Sequence, residues 1–410
     1  MSRSAVAFFL LLTGAARSKL APEFEAAPLT DEEKAKGLTQ QVRQLSNSWF
    51  SFGSTIADEI DGEAEAYAAL EKEEQQSGQR HYRRDGNRAA TWARIKPFAI
   101  DITAVTNSQF QAFVRATKYK TEAEAFQWSF VLEALVKDAQ VVAEVDGPTG
   151  YGRVKDAPHW MAVKGAYWRR PEGPGSSLRG RGGHPAVHIS YKDAEAYCAW
   201  AGGGRRLPTE KEWEMAARGG LEDEPFPWGS QAAKAHERCN GWTGDFTKEG
   251  NDQADGWVGT APVDAYEPNA YGIYNMVGNV WEWAVGGSEK ERPIRGGSYI
   301  DTIDGAHNHA LRVSSRQLVS PDSGGGNTGF RCASGDEINT DHSEIAIEGV
   351  DSGAEGMSQE KLQQVVAEGG VEGLTAYLAS MGQSGAKVLT PDEIKRRQAA
   401  GESVLGNAEL

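Results

Sequence analysis

Thiols are scarce in this chain. Its 410 residues include three cysteines, Cys198, Cys239 and Cys332, and none lies between Ala284 and Arg331. An odd number leaves at least one thiol without an intramolecular partner, and the cysteine-free stretch can carry no thiol chemistry. Acceptor sequences for N-glycosylation are missing as well. Asn47, Asn107, Asn327 and Asn339 each have the hydroxyl residue one place too early, so the modification is not predicted. Positive charge is in deficit: 43 Lys and Arg against 58 Asp and Glu give a net charge of −15. That balance argues against nucleic acid or an anionic membrane surface as a main partner. The apolar run at residues 5–12 is too short to span a bilayer, and no later segment is a transmembrane candidate.

What is present starts with that run. Arg3 precedes it and Ala15-Ala-Arg-Ser18 follows it, the layout of a secretory signal over residues 1–18, with a retained anchor as the alternative. The mature chain is expected to enter the secretory pathway, where disulfides persist. Its 48 glycines and 12 tryptophans suit an irregular, loop-rich fold better than a helical bundle. Residues 19–44 form a polar segment, a domain is expected over 45–335, and residues 57–90 within it read as an insertion. Residues 336–410 hold 14 acidic and 5 basic residues and read as an acidic, partly disordered extension. Short helices are expected there at 358–368 and 390–400. The final Glu409-Leu410 has only the end of a retrieval signal of the endoplasmic reticulum.

Inside the domain, residues 93–101 alternate like a strand. Thr106-Asn-Ser-Gln109 is a capping box, and Phe110, Phe113 and Val114 give the helix behind it an apolar face. Ser190-Tyr-Lys-Asp193 opens a helix that Gly202-Gly-Gly204 ends. Thr209 caps another, with Glu212 at its third position, and Gly219-Gly220 stops it.

Three segments then speak to chemistry. They are Tyr271-Gly-Ile-Tyr-Asn-Met-Val-Gly-Asn-Val-Trp-Glu-Trp283, Arg295-Gly-Gly-Ser-Tyr-Ile-Asp301 and Pro321-Asp-Ser-Gly-Gly-Gly-Asn-Thr-Gly-Phe-Arg-Cys332. Together they resemble the sulfatase-modifying factor family, whose active members are formylglycine-generating enzymes. The resemblance covers roughly residues 90–334. It implies a mixed α/β, loop-rich single domain, the formylglycine-generating-enzyme fold, which is related to the C-type lectin fold. In active members a cysteine follows the Gly-Gly-Ser-Tyr segment and a second lies a few residues on. Here Asp301 stands at the first position, and the stretch to His309 looks like the family's non-catalytic paralogue. A carboxylate is a hard oxygen donor and cannot stand in for a thiolate on copper, so copper is not expected.

The resemblance also implies site residues. Cys198 and Cys332 match positions joined by a disulfide, whose closure would restrict the unfolded chain by roughly 4–5 kcal/mol. Cys239 is left as a spectator or an intermolecular link. Two oxygen-rich segments match calcium sites: Asn275, Gly278, Val280 and Glu282 in one, and Asn240, Gly241, Asp255 and Trp257 in the other. The alternative for each segment is a purely structural turn. Trp281, Ser298, Arg316 and Asn327 match the substrate cleft, and Gly324 stands where active members have serine. Trp281 and Trp283, which flank Glu282, read as core rings rather than as ligand-stacking platforms.

The implied function is therefore a lumenal protein without the catalytic pair. It would bind sulfatases, or the active formylglycine-generating enzyme, in the endoplasmic reticulum or after secretion. Two alternatives stay open. One is a metal-dependent oxidase using Asp301, His307 and His309, since His-x-His on a strand would turn both rings to one face. The other is a calcium-stabilised, lectin-like binding module.

Overall fold

The computed structural model describes residues 91–335 except 156, 223, 245–250, 252, 304 and 306–308. It also describes the backbone of short pieces at 26–27, 42–45, 48–52, 346–348 and 387–389, and helical pieces at 375–377 and 379–380. The expected signal, the 57–90 insertion, the helices at 358–368 and 390–400, the final Glu409-Leu410, Asp304 and His307 lie outside the described residues.

Where the chain turns helical, local chemistry explains the start and the stop. The helix Asn107–Thr117 begins on Thr106, whose backbone N–H donates to Gln109 Oε1 at 2.7 Å while Gln109 N–H donates back to the Thr106 hydroxyl at 3.2 Å. Tyr191–Ala201 starts on the same reciprocal pair between Ser190 and Asp193, and Glu210–Arg218 on that between Thr209 and Glu212. Each exchange satisfies N–H groups that a helix start leaves open. Gly219, at φ 62°, ends the last helix in a left-handed conformation that suits a residue without Cβ.

Among the described residues the strands form five small sheets. Pro97 breaks the expected strand at 93–101 into Thr91–Ile95 and Phe98–Asp101, since it lacks the N–H a continuous ladder needs. Phe98–Asp101 joins a four-stranded sheet between Val42–Leu45 and Ala333–Ser334. A second sheet runs Arg316–Val319, Arg292–Arg295, Trp281–Trp283, Thr328–Gly329; its first two pairings are antiparallel and its last is parallel. A third pairs Trp128–Leu132 and Arg153–Val154 with Ala157–Lys164. None of the described helices is long and apolar enough to cross a membrane.

Among the described residues two large apolar cores hold much of the fold, and a smaller cluster lies on the sheet of Trp128–Leu132 and Ala157–Lys164. Phe110, Phe113, Tyr197 and Phe330 pack edge-to-face and stacked around the Cys198–Cys332 disulfide, which spans 134 residues of chain. Trp213, Met276, Val277, Leu311, Val313 and the free Cys239 form the other core. Trp281 and Trp283 are core rings, 2% and 0% exposed, and Trp283 Nε1–H donates to the Ile189 carbonyl.

Buried charge joins the layers. Arg331 is fully buried and donates from Nε and Nη2 to both oxygens of Glu282, at 2.6 and 2.8 Å. It also donates to the carbonyls of Asp101 and Tyr274. Asp101 accepts from Arg205 at 2.5 Å and from Cys332 N–H at 2.9 Å. Burial nevertheless pushes the Asp101 carboxyl up to about 6, outweighing Arg205, the Cys332 hydrogen bond and Arg331. A carboxyl raised in the folded state adds most stability below its unfolded value, and that contribution is lost as pH rises through about 6. Arg205 limits the loss. Arg205→Met should therefore cost little through this pair at pH 5, where Asp101 is protonated. At pH 8 it should cost about 3–5 kcal/mol, the penalty for stripping a buried charge of its partner. Urea unfolding at both pH values checks this; an equal cost at each would assign Arg205 to packing alone.

Candidate functional site

The strand Arg292–Arg295 runs into Gly296 and Gly297, both at positive φ. A Cβ on Gly296 would sit 2.7 Å from the Met276 carbonyl and the Trp213 ring, so the chain can turn here only without side chains. The turn delivers Ser298 and Asp301 to the interior, 0% and 1% exposed. Asp301 N–H donates to the Ser298 carbonyl at 3.0 Å. One oxygen of Asp301 accepts from both the Ser298 N–H and its hydroxyl, each at 2.8 Å. The other accepts from His309 N–H at 3.2 Å, and His309 Nδ1 lies 3.8 Å from it. Burial raises the carboxyl's pKa, while His309 and Ser298 oppose that rise.

Three of the sequence-derived cleft residues meet at this turn. Asn327 Nδ2 donates to the Ser298 hydroxyl at 3.0 Å. Trp281 N–H donates to the Asn327 carbonyl, and the Trp281 ring meets the His309 ring edge-to-face at 5.3 Å. Arg316 does not join them. Its guanidinium is committed to Glu210, at 2.5 and 3.1 Å, in the first turn of the helix Glu210–Arg218. Gly324 packs its backbone on His188 and Ile189, where a Cβ would come within 2.9 to 3.0 Å, so a serine there requires a shifted chain. A groove of about 910 Å³ opens beside the turn, with Tyr299 and Gly326 in its wall together with Val131, Leu135, Pro171 and Arg181.

The arrangement can hold a carboxylate but supplies no nucleophilic sulfur. Cys239, the free thiol, is 2% exposed and lies in the apolar core. Burial and then Asp255 push its pKa up, the reverse of what an activated thiolate needs. His309 lies beside Asp301, whereas His307, the other half of the His-x-His pair, is outside the described residues. Among the described residues no group of three or more His, Cys, Asp or Glu could hold a metal ion.

Cation sites built from amides and carbonyls are a separate matter. Asn240 Oδ1 and Asn275 Oδ1 are buried without a hydrogen-bond partner. Buried acceptors are nearly always satisfied, so each orphaned oxygen could hold a cation. In the Asn240 segment, Asp255 accepts from Gly241 N–H at 3.1 Å and from Trp257 N–H at 2.9 Å, which brings its carboxylate to two of the other three expected residues. In the Asn275 segment, Gly278 at φ 77° makes the sharp turn a chelating loop needs, and Val280 is buried beyond it. Glu282 differs from a free ligand, because Arg331 and Trp213 Nε1–H take three of its roughly four acceptor positions.

One residue that links the two segments escaped the sequence reading. Asn279, at φ 64°, donates its N–H to the Asn240 carbonyl at 2.7 Å. Its Oδ1 accepts from Asn240 Nδ2 and Ala261 N–H. The Gly278-Asn279 pair in a loop was the available signal, since both residues tolerate left-handed backbone.

Against known proteins, the family model of the sulfatase-modifying factor enzyme 1-like domain matches residues 63–335. "Inactive C-alpha-formylglycine-generating enzyme 2" of Bos taurus is 48% identical over 257 residues, which is 62% of this chain and 82% of that protein. "Formylglycine-generating enzyme" of Thermomonospora curvata is 44% identical over 271 residues, 61% of this chain and 86% of that protein. Among solved structures, PvdO from Pseudomonas aeruginosa is 22% identical with a TM-score of 0.47, over 72% of this chain and 93% of that one.

The bonding around Asp301 sets a test of the turn. An amide at this position must aim its NH₂ at one of three donors. Asp301→Asn should therefore cost about 1–3 kcal/mol in urea unfolding at pH 7. His309→Ala removes a partly exposed partner and should cost under about 1 kcal/mol. Unchanged stability in Asp301→Asn would show that the carboxylate does not hold the turn.

Proposed function

The chain belongs to the sulfatase-modifying factor family, and we propose that it uses the family scaffold as a binding protein of the secretory pathway rather than as an oxidase. One observation carries this reading: the position of the first reactive cysteine is Asp301, sealed by Ser298 and His309, in a stretch of chain without any thiol. The names of the inactive relatives support it. Overall identity alone does not decide, because active and inactive relatives match this chain almost equally well.

The ligand in this reading is an extended segment of a sulfatase, or the active enzyme itself, laid against the Ser298–Asn327 turn. The half-open groove beside the turn, with Tyr299 and Gly326 in its wall, suits an extended peptide held without chemistry. A secretory signal at residues 1–18, as the sequence leads one to expect, would bring the chain to the lumen of the endoplasmic reticulum. Calcium bound by the Asn240 and Asn275 segments would have a structural role, because it would satisfy two orphaned buried oxygens and tie together loops that Asn279 already joins.

Purified protein incubated with a sulfatase cysteine peptide, copper and oxygen should leave the peptide's mass unchanged. Turnover above a metal-only control that survives Cys239→Ser would overturn the reading and favour the altered oxidase. The same peptide should bind without alteration, and Asn327→Ala should weaken binding roughly two- to tenfold, the loss of one hydrogen bond. No affinity at millimolar peptide would remove the peptide-binding part.

Calcium is tested apart from binding. A ligand at a hundredfold its Kd adds about 2.7 kcal/mol to the native state, so chelation should lower the melting temperature. Asp255→Ala should remove part of that response. Glu282→Ala is a poor probe, since it strands Arg331 in the core. Melting indifferent to chelator, with no calcium found by elemental analysis, would dismiss both sites.

A further inference from the structure

The side-chain amide of Asn240 meets two different surroundings. Its Nδ2 donates to the Gly259 carbonyl at 2.8 Å and to Asn279 Oδ1 at 3.1 Å, while its Oδ1 is buried without a hydrogen-bond partner. The orientation follows from the neighbours. Asn279 Oδ1 accepts from Ala261 N–H at 2.9 Å, and Asn279 Nδ2 donates to the Ala261 carbonyl at 3.2 Å. The Ala261 backbone thus fixes the Asn279 amide, and that amide presents an oxygen to Asn240. A flipped Asn240 would set its oxygen against two acceptors. Its nitrogen therefore belongs on Gly259 and Asn279, and its oxygen is left for a cation.

The partner on the nitrogen side belongs to the groove. Val258, Gly259 and Thr260 line it in succession, and Val258 is one of the few large apolar residues left exposed among those described. Gly259 lies against Leu135, another lining residue: a Cβ built on it would meet both Leu135 methyl groups at 3.5 Å. Thr260 Oγ1 lies 3.1 Å from His184 Nδ1. On the oxygen side, Trp257, an expected calcium ligand through its carbonyl, directly precedes Val258. One amide therefore stands between the candidate cation site and one wall of the groove.

We propose that Asn240 is the positioning residue through which a bound calcium ion fixes the Val258–Thr260 wall of the groove, with Asn279 setting its orientation. The inference rests on the calcium reading of the Asn240 segment and not on which ligand the groove takes. Without a cation the amide keeps an unserved buried oxygen. Turning the side chain out to water relieves that oxygen but gives up the bonds to Gly259 and Asn279. A cation serves the oxygen and leaves the nitrogen bonds intact, so it favours the arrangement with the wall in place. A ligand resting on Val258 and Thr260 is then held more tightly with calcium present, and by reciprocity it raises the affinity for calcium.

The test is amide hydrogen exchange of the full chain, stripped of metal and then given calcium alone or chelator, beside a calorimetric calcium titration. Residues 257–263 include the Ala261 N–H and report the wall; the helix Tyr191–Ala201 reports the rest of the fold. A ligand at a hundredfold its Kd suppresses any opening that breaks its site by about a hundredfold. At that excess calcium should slow residues 257–263 about tenfold or more beyond its effect on the helix. Asn240→Asp keeps an oxygen for the cation and loses the donor, so it should bind calcium and lose that extra slowing. Extra slowing that persists in Asn240→Asp would remove Asn240 from the role. Calcium that binds the wild type yet slows both places equally would overturn the inference and leave the calcium reading standing. No calcium bound at all would overturn both. The wild-type comparison decides even where Asn240→Asp does not fold.

Discussion

A guanidinium with no access to water must have its partners in place, and Arg331 is such a group. Glu282 meets it from one sheet, while the Asp101 and Tyr274 carbonyls meet it from other parts of the chain. That requirement positions its neighbours. On one side Cys332 bonds Asp101 through its N–H and closes the disulfide onto the helix Tyr191–Ala201. On the other, Phe330 enters the aromatic core and Thr328–Gly329 pairs beside Trp281. Asn327 then arrives at Ser298 as a consequence of bonds made several residues away.

The same logic explains how a scaffold can outlast a reactive group. The turn at 296–301 is shaped by two glycines against Met276, Trp213 and Leu311. Against the side chain at 301 the turn has only ordinary contact, since a Cβ on Gly297 would lie 3.8 Å from the Asp301 Cβ. A carboxylate can therefore occupy the position once something accounts for its buried charge. Ser298 and the His309 backbone do so with three hydrogen bonds, and the price is that the carboxylate's oxygens are engaged locally. Overall identity hardly registers such a change, because it is confined to one short segment.

Much of the helical framework was legible because its signals are local. Thr106, Ser190 and Thr209 each sit three residues before a side chain that can bond back, and glycine follows the helices that Ser190 and Thr209 begin. The exchange needs no distant partner. The sheet of Trp128–Leu132 with Ala157–Lys164 went unread, because its pairing is set by register across a long intervening stretch. The split at Pro97 belongs to the local class, yet the alternation on either side of it hides the break.

The sequence by itself determined the absence of a thiol from 285 to 330, the helix starts, and the order of motifs that places the chain in its family. Those are matters of which atoms exist and of contacts a few residues apart. Only the tertiary structure decided which side chains spend their polar groups on one another. Arg316 goes to Glu210, Glu282 to Arg331, and Asn279 to Asn240, across separations of 106, 49 and 39 residues. A buried charge or amide takes the partner that packing brings within reach, and that choice depends on the folded positions of both ends of the chain.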